Sequence, residues 1–422
     1  MDLYGEFEWR GMVYDATEGL RDVLARETLT AYVGFDPTAS SLHVGSLLPI
    51  MALARLQRFG HSPIAIVGGG TGLIGDPSGK AAERTLMAQE QIDQNVAGLR
   101  AQLGRFLDFD ATGNPARLVD NAEWLTRLSA VGFIRDVGKY FTVNAMLAKE
   151  SVKRRIAGAD GISYTEFSYL LLQAYDYLEM YDRFGCTLQM GGSDQWGNIT
   201  AGMDLIRRVR GGKAHGLVFP LVMTSAGTKF GKTEAGTIWL DATRTKPFEF
   251  YQFWLNTDDR DAVKYLKFFT MLDRPRIAAL EEATATRPEQ RAAQHELARE
   301  VTRLVHGDAA VTEAEAASVA LFSESITALT LDQIRQTLAN VPSLSLLLPA
   351  EGWSVVDLLV HARLAKSKGE ATKLIRGGGI YVNDRRIADE KERLKAEQAI
   401  EGEVFVLRKG KKDNVLVHVT RA

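Results

Sequence analysis

The strongest constraint in this sequence is the alternation of short apolar runs with helical patterns through residues 1–222. Residues 30–35 and 62–67 read as strands, and the stretch 43–59 between them reads as a helix that ends at Gly60. Such alternation favours an α/β fold, in which helices cover both faces of a doubly wound parallel sheet. We therefore predict a domain of this kind over residues 1–222. Further predicted strands lie at residues 116–119, 187–190 and 217–222.

The pattern changes after residue 222, and the changes predict four more segments. Residues 223–247 form a glycine-containing loop and connector, and residues 248–326 are almost entirely helical. Residues 327–352 contain two prolines and little periodicity, which is typical of a linker. Residues 353–422 read as helices followed by strands, a small α+β domain.

The segment 353–422 differs from the rest of the chain in charge. It contains 15 Lys and Arg and 10 Asp and Glu, a net +5, whereas the whole chain has a formal net charge of −2. A basic module on an acidic body suggests a polyanion as partner, although charge alone favours an ordinary solvated surface.

Composition excludes several classes of protein. The single cysteine, Cys186, excludes an intrachain disulfide and any site with several thiolates, and the seven histidines form no close pair. We therefore expect no metal site. No run approaches the roughly 20 apolar residues of a membrane span, and the first residues lack the pattern of a secretion signal. We expect a cytoplasmic protein with no membrane segment.

Residues 70–75 fit the G-x-G-x-x-G fingerprint of dinucleotide sites and follow a predicted strand. Such a site needs a helix through the third glycine, but Pro77 would clash inside that helix. Asp76 would also place a carboxylate where a pyrophosphate should lie. These residues argue against a dinucleotide site.

Two other segments carry groups suited to phosphate chemistry. Residues 36–46 lie between the first strand and its helix, where free backbone amides attract anions and His43 adds a side-chain donor. Residues 227–233 form a glycine loop with Lys229 and Lys232, whose compact charges suit the phosphoryl oxygens of nucleotidyl transfer. In isolation, a capped helix start and a solvated basic loop explain the two segments as well.

Together, residues 43–46 (His-Val-Gly-Ser) and 229–233 (Lys-Phe-Gly-Lys-Thr) resemble the HIGH and KMSKS signatures of class I aminoacyl-tRNA synthetases. Ser46 stands where HIGH often has a second histidine. Phe230, Gly231 and Thr233 replace the methionine and the two serines of KMSKS, whereas both lysines are retained. The resemblance spans nearly the whole chain. Longer strings similar to those of the tyrosyl-tRNA synthetase family lie at residues 32–38, 75–80 and 191–198.

A polar stripe marks the helix that a capping box predicts after Ser163. Tyr169, Gln173 and Asp176 fall at i, i+4 and i+7, on one face of a helix otherwise rich in leucine. Such a stripe faces solvent or lines a polar ligand site, and polar residues at neighbouring strand ends favour the ligand site.

The resemblance implies a role for each candidate residue. Tyr169, Gln173 and Asp76 would hold the ammonium group of tyrosine, and Asp176 and Tyr32 would contact its phenolic hydroxyl. The tyrosine-binding set is Tyr32, Asp36, Asp76, Tyr169, Gln173, Asp176 and Gln195. The catalytic set, around the phosphates, is Thr38, His43, Lys80, Arg84, Lys229, Lys232 and Thr233. The ATP-binding set is Gly34, His43, Gly45, Ser46, Gly192, Asp194 and Lys232.

The resemblance also implies the substrates and the architecture. ATP would be a substrate that brings its own Mg²⁺, with no tightly bound cofactor, and tyrosine would be joined to tRNA(Tyr). A Rossmann-like catalytic domain would precede an α-helical domain on the anticodon side, followed by an S4-like RNA-binding domain at residues 353–422. A homodimer is implied as well, with residues 133–146 as the candidate interface.

Two alternatives stay open at this level. Tryptophanyl-tRNA synthetases have a similar fold and chemistry, and an indole N–H needs only an acceptor such as Asp176, although Tyr32 as a donor favours a phenol. The other alternative is an RNA-binding relative without catalysis. The retained His43, both signature lysines and the complete polar stripe argue against it.

Overall fold

The computed structural model describes residues 2–76, 87–158, 161–228, 230–233, 236–322, 326, 331, 334, 341–347, 349, 351–410 and 413–420. The chain forms two compact units. The first contains Met1–Arg244 and Asn256–Val305, and the second contains Thr245–Leu255 and His306–Ala422.

Strands and helices alternate through the first half of the chain. The strands are β1 (Asp15–Ala16), β2 (Thr30–Phe35), β3 (Ser62–Val67), β4 (Arg117–Asp120), β5 (Cys186–Gly192), β6 (His215–Phe219), β7 (Lys232–Thr233), β8 (Gly236–Thr237), β9 (Ser343–Leu347), β10 (Trp353–Ser354), β11 (Ile380–Val382), β12 (Arg385–Arg386), β13 (Arg393–Leu394), β14 (Val404–Lys409) and β15 (Asp413–Thr420). The α-helices are α1 (Leu3–Trp9), α2 (Leu20–Arg26), α3 (Leu47–Arg58), α4 (Gln89–Leu103), α5 (Ala122–Leu125), α6 (Ala130–Asp136), α7 (Val143–Leu147), α8 (Glu150–Ile156), α9 (Tyr164–Phe184), α10 (Trp196–Arg210), α11 (Pro247–Leu255), α12 (Asp259–Phe269), α13 (Arg274–Thr286), α14 (Ala292–His306), α15 (Asp308–Phe322), α16 (Val355–His361) and α17 (Lys368–Arg376). Within the described ranges, none of them combines the length and apolar composition needed to cross a bilayer.

The first unit is built around a six-stranded sheet with the order β1-β6-β5-β2-β3-β4. Among these described strands, β2 to β6 are parallel and β1 is antiparallel to its neighbour β6. The strand order reverses between β2 and β5, and ligands of open α/β sheets bind at such a reversal, beyond the carboxyl ends of the strands. This sheet confirms the predicted doubly wound α/β fold.

Strand limits in this sheet follow burial and backbone chemistry. β3 and β6 are buried along nearly their whole length, as expected of parallel strands covered on both faces. The sixth strand spans His215–Phe219, which corrects the predicted range 217–222. Pro220 follows it directly and has no amide hydrogen to continue the ladder.

Helix starts depend on capping. We predicted a helix from residue 43, but the backbone of His43 is extended and residues 44–46 form a 3₁₀ turn, so α3 begins at Leu47. α9 begins as predicted, because the Ser163 hydroxyl accepts a hydrogen bond from the Glu166 amide at 3.2 Å.

The second unit has a five-stranded sheet with the order β12-β11-β14-β15-β9. β14 and β15 form an antiparallel hairpin, in keeping with the strands predicted near the end of residues 353–422, and β9 pairs in parallel with β15. Asn383 and Asp384 join β11 to β12 with φ of 47° and 62°, the left-handed conformation of a tight hairpin turn. Helices α16 and α17 contribute to the same apolar core as this sheet.

Candidate functional site

A cavity of about 180 Å³ lies at the carboxyl ends of β2 and β5, where the strand order of the sheet reverses. Ligand sites of doubly wound sheets occur at this position. The predicted site residues that line the cavity are Tyr32, Gly34, Asp36, Asp76, Tyr169, Gln173, Asp176, Gly192 and Gln195.

The polar stripe of α9 faces this cavity and is tied to neighbouring loops. The Tyr169 hydroxyl donates to Asp36 Oδ1 at 3.4 Å, and Gln173 Nε2 donates to Gln195 Oε1 at 3.2 Å. Gln195 Nε2 in turn donates to Asp76 Oδ2 at 2.8 Å. Burial, reinforced by the charges of Asp36, Asp76 and Asp176, raises the pKa of Tyr169 well above its usual value. The stripe therefore lines a polar site that contains three acids, Asp36, Asp76 and Asp176.

A buried acid and a buried phenol form another part of the wall. The Asp176 carboxylate accepts hydrogen bonds from Asn121 Nδ2 at 2.9 Å and Trp124 Nε1 at 2.7 Å. Burial raises the pKa of Asp176, and the two hydrogen bonds oppose this rise only in part. The net result is a pKa of about 7.

Tyr32 is 2% exposed, and its hydroxyl has no hydrogen-bond partner among the described residues. Burial and then the charge of Asp176 raise its pKa well above the usual value, so the hydroxyl keeps its proton. A buried hydroxyl without a partner is costly unless a ligand supplies one. Tyr32 and Asp176 together suit a ligand group that both donates and accepts a hydrogen bond.

The cavity also depends on residues that sequence reasoning missed. Asn121 follows β4 directly, so the rule that ligands lie beyond strand ends could have found it. Gln189 lines the cavity with a side-chain oxygen that has no partner among the described residues, and its signal was a polar residue within a buried strand. Trp124 gave no signal, because a tryptophan in a short helix is ordinarily a core residue.

His43 lies at the start of the 3₁₀ turn before α3. Its ring Nδ1 accepts a hydrogen bond from the Gly45 amide at 2.9 Å, so the neutral ring carries its proton on Nε2 as a donor. Gly45 is required for this geometry, because a Cβ there would lie 2.6 Å from His43 Cε1. Ser46 ends the turn with its amide donating to the His43 carbonyl at 2.8 Å.

The two signature segments meet in the first unit. Gly231 has a φ of 79°, and a Cβ there would lie 2.5 Å from Val44 Cγ2. The backbone of the following segment pairs with the first signature, since the Val44 amide donates to the Ile238 carbonyl at 3.0 Å. Phe230 is buried and stacks on Phe269 with the ring centroids 5.3 Å apart.

The remaining predicted residues are distributed as follows. Thr38 is exposed beside the cavity residue Asp36, and Asp194 lies in the turn after β5, against Gly192. The side chains of Lys232 and Thr233, which lie in β7, are outside the described set, as are the whole residues Lys80, Arg84 and Lys229.

Comparisons with known proteins cover nearly the whole chain. The model of the class I tRNA synthetases (W and Y) matches residues 24–323, and that of the tyrosine--tRNA ligase SYY-like C-terminal domain matches residues 333–417. The tyrosine--tRNA ligase of Roseiflexus castenholzii is 54% identical over 420 residues, 99% of each chain. That of Geobacillus stearothermophilus is 54% identical over 422 residues, again 99% of each chain.

Solved structures agree with these matches. A C-terminally truncated mitochondrial tyrosyl-tRNA synthetase from Aspergillus nidulans superposes with a TM-score of 0.68 at 31% identity. The match covers 74% of this chain and 92% of that one.

Proposed function

Because the chain belongs to the class I tRNA synthetases for tryptophan and tyrosine, and within them to the tyrosine--tRNA ligases, we propose that the cavity binds tyrosine and the two signature segments bind ATP. The enzyme activates L-tyrosine with ATP, giving tyrosyl-adenylate and pyrophosphate. It then transfers the tyrosyl group to the 3′ end of tRNA(Tyr) in protein synthesis. ATP is thus a substrate of this ligase.

The buried pair of Tyr32 and Asp176 carries the choice of amino acid. The phenolic hydroxyl of tyrosine would accept a hydrogen bond from Tyr32 and donate one to Asp176. Phenylalanine would leave both groups unpaired, at a cost of about 1–3 kcal/mol for each. An indole N–H can only donate, so tryptophan would leave the Tyr32 hydroxyl without an acceptor.

The other polar groups of the cavity would hold the amino-acid backbone and the adenylate. Tyr169, Gln173 and Asp76 would bind the ammonium group, since a carboxylate and two oxygen acceptors suit a cation with three donors. Asp36 and Gln195 would complete this contact. Gly34, Gly45, Ser46, Gly192 and Asp194 would approach the nucleotide.

Activation needs no protein nucleophile. A carboxylate oxygen of tyrosine attacks the α-phosphorus of ATP while the bond from that phosphorus to the pyrophosphate oxygen breaks, so catalysis is positioning and charge stabilisation. We assign the stabilisation of the departing pyrophosphate to donors and cations of residues 36–46, of the second signature and of residues 80–84, with Mg²⁺ brought by ATP. They are Thr38, His43, Lys80, Arg84, Lys229, Lys232 and Thr233.

The assembly belongs to the same proposal. We propose a homodimer, because the stretch 131–164 exposes large apolar side chains that a second copy of this chain would cover. They are Val131, Ile134, Val143, Leu147, Ile156 and Tyr164.

We place the functional segments at residues 1–222 (catalysis), 223–247 (lysine loop and connector), 248–326 (anticodon side), 327–352 (linker, whose strand β9 joins the sheet of the following segment) and 353–422 (S4-like RNA binding). A cytoplasmic location, where tRNA is charged for protein synthesis, completes the proposal.

The deciding experiment is exchange of labelled pyrophosphate into ATP with tyrosine, phenylalanine or tryptophan as the amino acid. Exchange with tyrosine alone would support the proposed pocket, and exchange with tryptophan would refute the assignment of Tyr32 and Asp176. Folded protein that exchanges with none of them would refute the proposed catalytic roles.

A further inference from the structure

Helix α4 lies outside every predicted site, yet it contacts the loop that leads into His43. We propose that Gln102 and Ser41 are positioning residues, which hold the backbone before His43 in the geometry needed for tyrosine activation. The proposal rests on the catalytic role proposed above for His43.

Both the oxygen and the nitrogen of the Gln102 side-chain amide form hydrogen bonds with this loop. Its Oε1 accepts a hydrogen bond from the Leu42 amide at 2.8 Å, and its Nε2 donates to Ser41 Oγ at 2.9 Å. The Ser41 hydroxyl donates to the Leu42 carbonyl at 2.7 Å. Two of these three bonds end on main-chain atoms, so they fix the backbone one residue before His43.

Ser41 also joins the loop to a third segment. The Asp241 amide donates to Ser41 Oγ at 3.2 Å, and the Leu240 amide donates to the Leu42 carbonyl at 2.9 Å. Residues 238–241 follow β8 directly, and the Ile238 amide donates to the Gly231 carbonyl of the second signature at 3.1 Å. Ser41, which is 4% exposed, therefore links α4, the loop before the first signature and residues 238–241 after the second signature.

The same face of α4 makes two more contacts with the loop. Asn95 Nδ2 donates to the Pro37 carbonyl at 2.8 Å, and Gly98 lies so close to Ser40 that a Cβ would overlap its carbonyl oxygen. Asn95, Gly98 and Gln102 stand at i, i+3 and i+7, which is one face of a helix. This face follows the loop along its length, and Gln102 lies at the end nearest His43.

The contacts of Gln102 are separate from the tyrosine cavity. Neither Gln102 nor Ser41 lines that cavity. Loss of their hydrogen bonds should therefore displace His43 and the adjoining ATP-binding backbone while tyrosine binding is preserved. A displacement of about 1 Å can reduce a rate by about 100-fold, because reacting groups lose their alignment.

The test uses Gln102→Met, which keeps the side-chain length and removes both hydrogen bonds, in the full-length enzyme. The matched control is Gln94→Met, at an exposed position of the same helix. Pyrophosphate exchange gives kcat and KM, and titration of active sites by trapped adenylate corrects for any unfolded fraction. We expect kcat for activation to fall about 10- to 100-fold in Gln102→Met, with KM for tyrosine changed less than about 2-fold.

A double-mutant cycle adds a second criterion. Ser41→Ala should show a similar loss of kcat, and the double variant should lose little more than either single variant, because both residues act through one network.

Three results would overturn the proposal. One is a kcat of Gln102→Met equal to that of Gln94→Met with only the melting temperature lowered, which would make Gln102 merely structural. Another is a rise in KM for tyrosine in Gln102→Met as large as the fall in kcat. The third is additive losses in the cycle. If the wild-type enzyme shows no exchange at all, the catalytic roles in the proposed function are refuted, and the inference about Gln102 and Ser41 is refuted as a consequence.

Discussion

At the scale of single residues, burial changes what ordinary groups can do. Asp176 is held by Asn121 and Trp124 in surroundings that raise its pKa to about 7, and Tyr32 keeps its proton far into the alkaline range. A carboxyl group is a good acceptor for a phenol only while it is ionised, and a phenol is a donor only while it is protonated. Desolvation thus keeps the Tyr32 hydroxyl protonated as a donor, whereas the hydrogen bonds from Asn121 and Trp124 favour the ionised form of Asp176 against the effect of burial.

Tyr32→Phe tests the donor of this pair. The substitution removes the hydroxyl and keeps the ring, which packs edge-on against Tyr177 with the centroids 5.3 Å apart. We expect kcat/KM for tyrosine to fall about 3- to 10-fold, which corresponds to the net free energy of one hydrogen bond. The kcat/KM for phenylalanine should not fall. Tyr14→Phe, at an exposed tyrosine, serves as the control. An equal loss for both amino acids would argue against recognition through the Tyr32 hydroxyl.

Asp176→Asn tests the raised pKa through stability. Because the pKa of Asp176 is higher in the folded state than its usual 3.8, the native protein binds more protons than the unfolded chain between about pH 4 and pH 7. The contribution of Asp176 to stability is therefore lost as pH rises through this window, by about 1.4 kcal/mol per pH unit at most.

Urea unfolding of the wild-type protein and of Asp176→Asn across the window gives the measurement. The free energy of unfolding of the wild type should fall with pH relative to that of the variant, and the difference should level off above about pH 7. A difference that stays constant from pH 4 to pH 7 would mean that Asp176 has an ordinary pKa.

At the scale of elements, single helices serve the core and the site at once. Leu170, Ala174 and Leu178 of α9 are buried in the core of the first unit, while the polar stripe of the same helix lines the cavity. α4 also has two such faces. Ile92 and Leu99 are buried, and another face contacts the loop before His43. A helix fixed by its apolar face holds its polar face rigidly.

Gly98→Ala tests the close approach of α4. Alanine favours a helix over glycine by about 1 kcal/mol, but the new Cβ would overlap the Ser40 carbonyl oxygen. Since a backbone atom cannot rotate away, we expect a loss of about 1–3 kcal/mol in the free energy of unfolding. Gly104→Ala, at the end of the same helix, is the control, because the nearest atom to its Cβ would be 3.7 Å away. Equal stabilisation by both substitutions, measured by urea unfolding, would show that α4 does not press on the loop.

At the scale of the whole molecule, each unit has its own sheet and its own core, and charge is divided between segments of the chain. Residues 353–422 carry a net +5 within a chain of net charge −2. Matches of separate family models to residues 24–323 and 333–417 follow a similar division. The modular organisation suits an enzyme that holds a small amino acid in one place and a long polyanion over a much larger surface.

Ile134→Asp tests the proposed dimer. Ile134 is 60% exposed on α6, and a carboxylate within an apolar interface would have to be desolvated without a partner. We expect sedimentation to show the wild-type chain as a dimer and Ile134→Asp shifted to the monomer. Val319→Asp, at a residue 66% exposed in the second unit, should remain a dimer. A monomeric wild-type chain, or an equal shift in both variants, would contradict the proposed interface.

Features that depend on neighbours along the chain could be predicted from the sequence. The predicted strands 30–35 and 62–67 have the observed limits, and Ser163 correctly predicts the start of α9. Both features depend only on residues that are close together in the chain. A ligand site beside neighbouring strand ends also followed, since alternation implies a parallel sheet and the carboxyl ends of parallel strands meet at one edge, whereas the strand order that places the site between β2 and β5 did not follow. The start of α3 was misplaced because the hydrogen bond from the Gly45 amide to the His43 ring replaces the expected first helical turn.

The sequence by itself determined the fold class, the family and the polar stripe of α9, because periodicity and signature strings are local properties. Only the tertiary structure decided which groups surround Asp176, that the Tyr32 hydroxyl is buried without a partner among the described residues, and that Gln102 supports the backbone before His43. Asn121 lies 55 residues from Asp176, and Gln102 lies 60 from Leu42. Contacts of that separation exist only after the sheet has assembled, and the burial that shifts a pKa exists only once the core has closed.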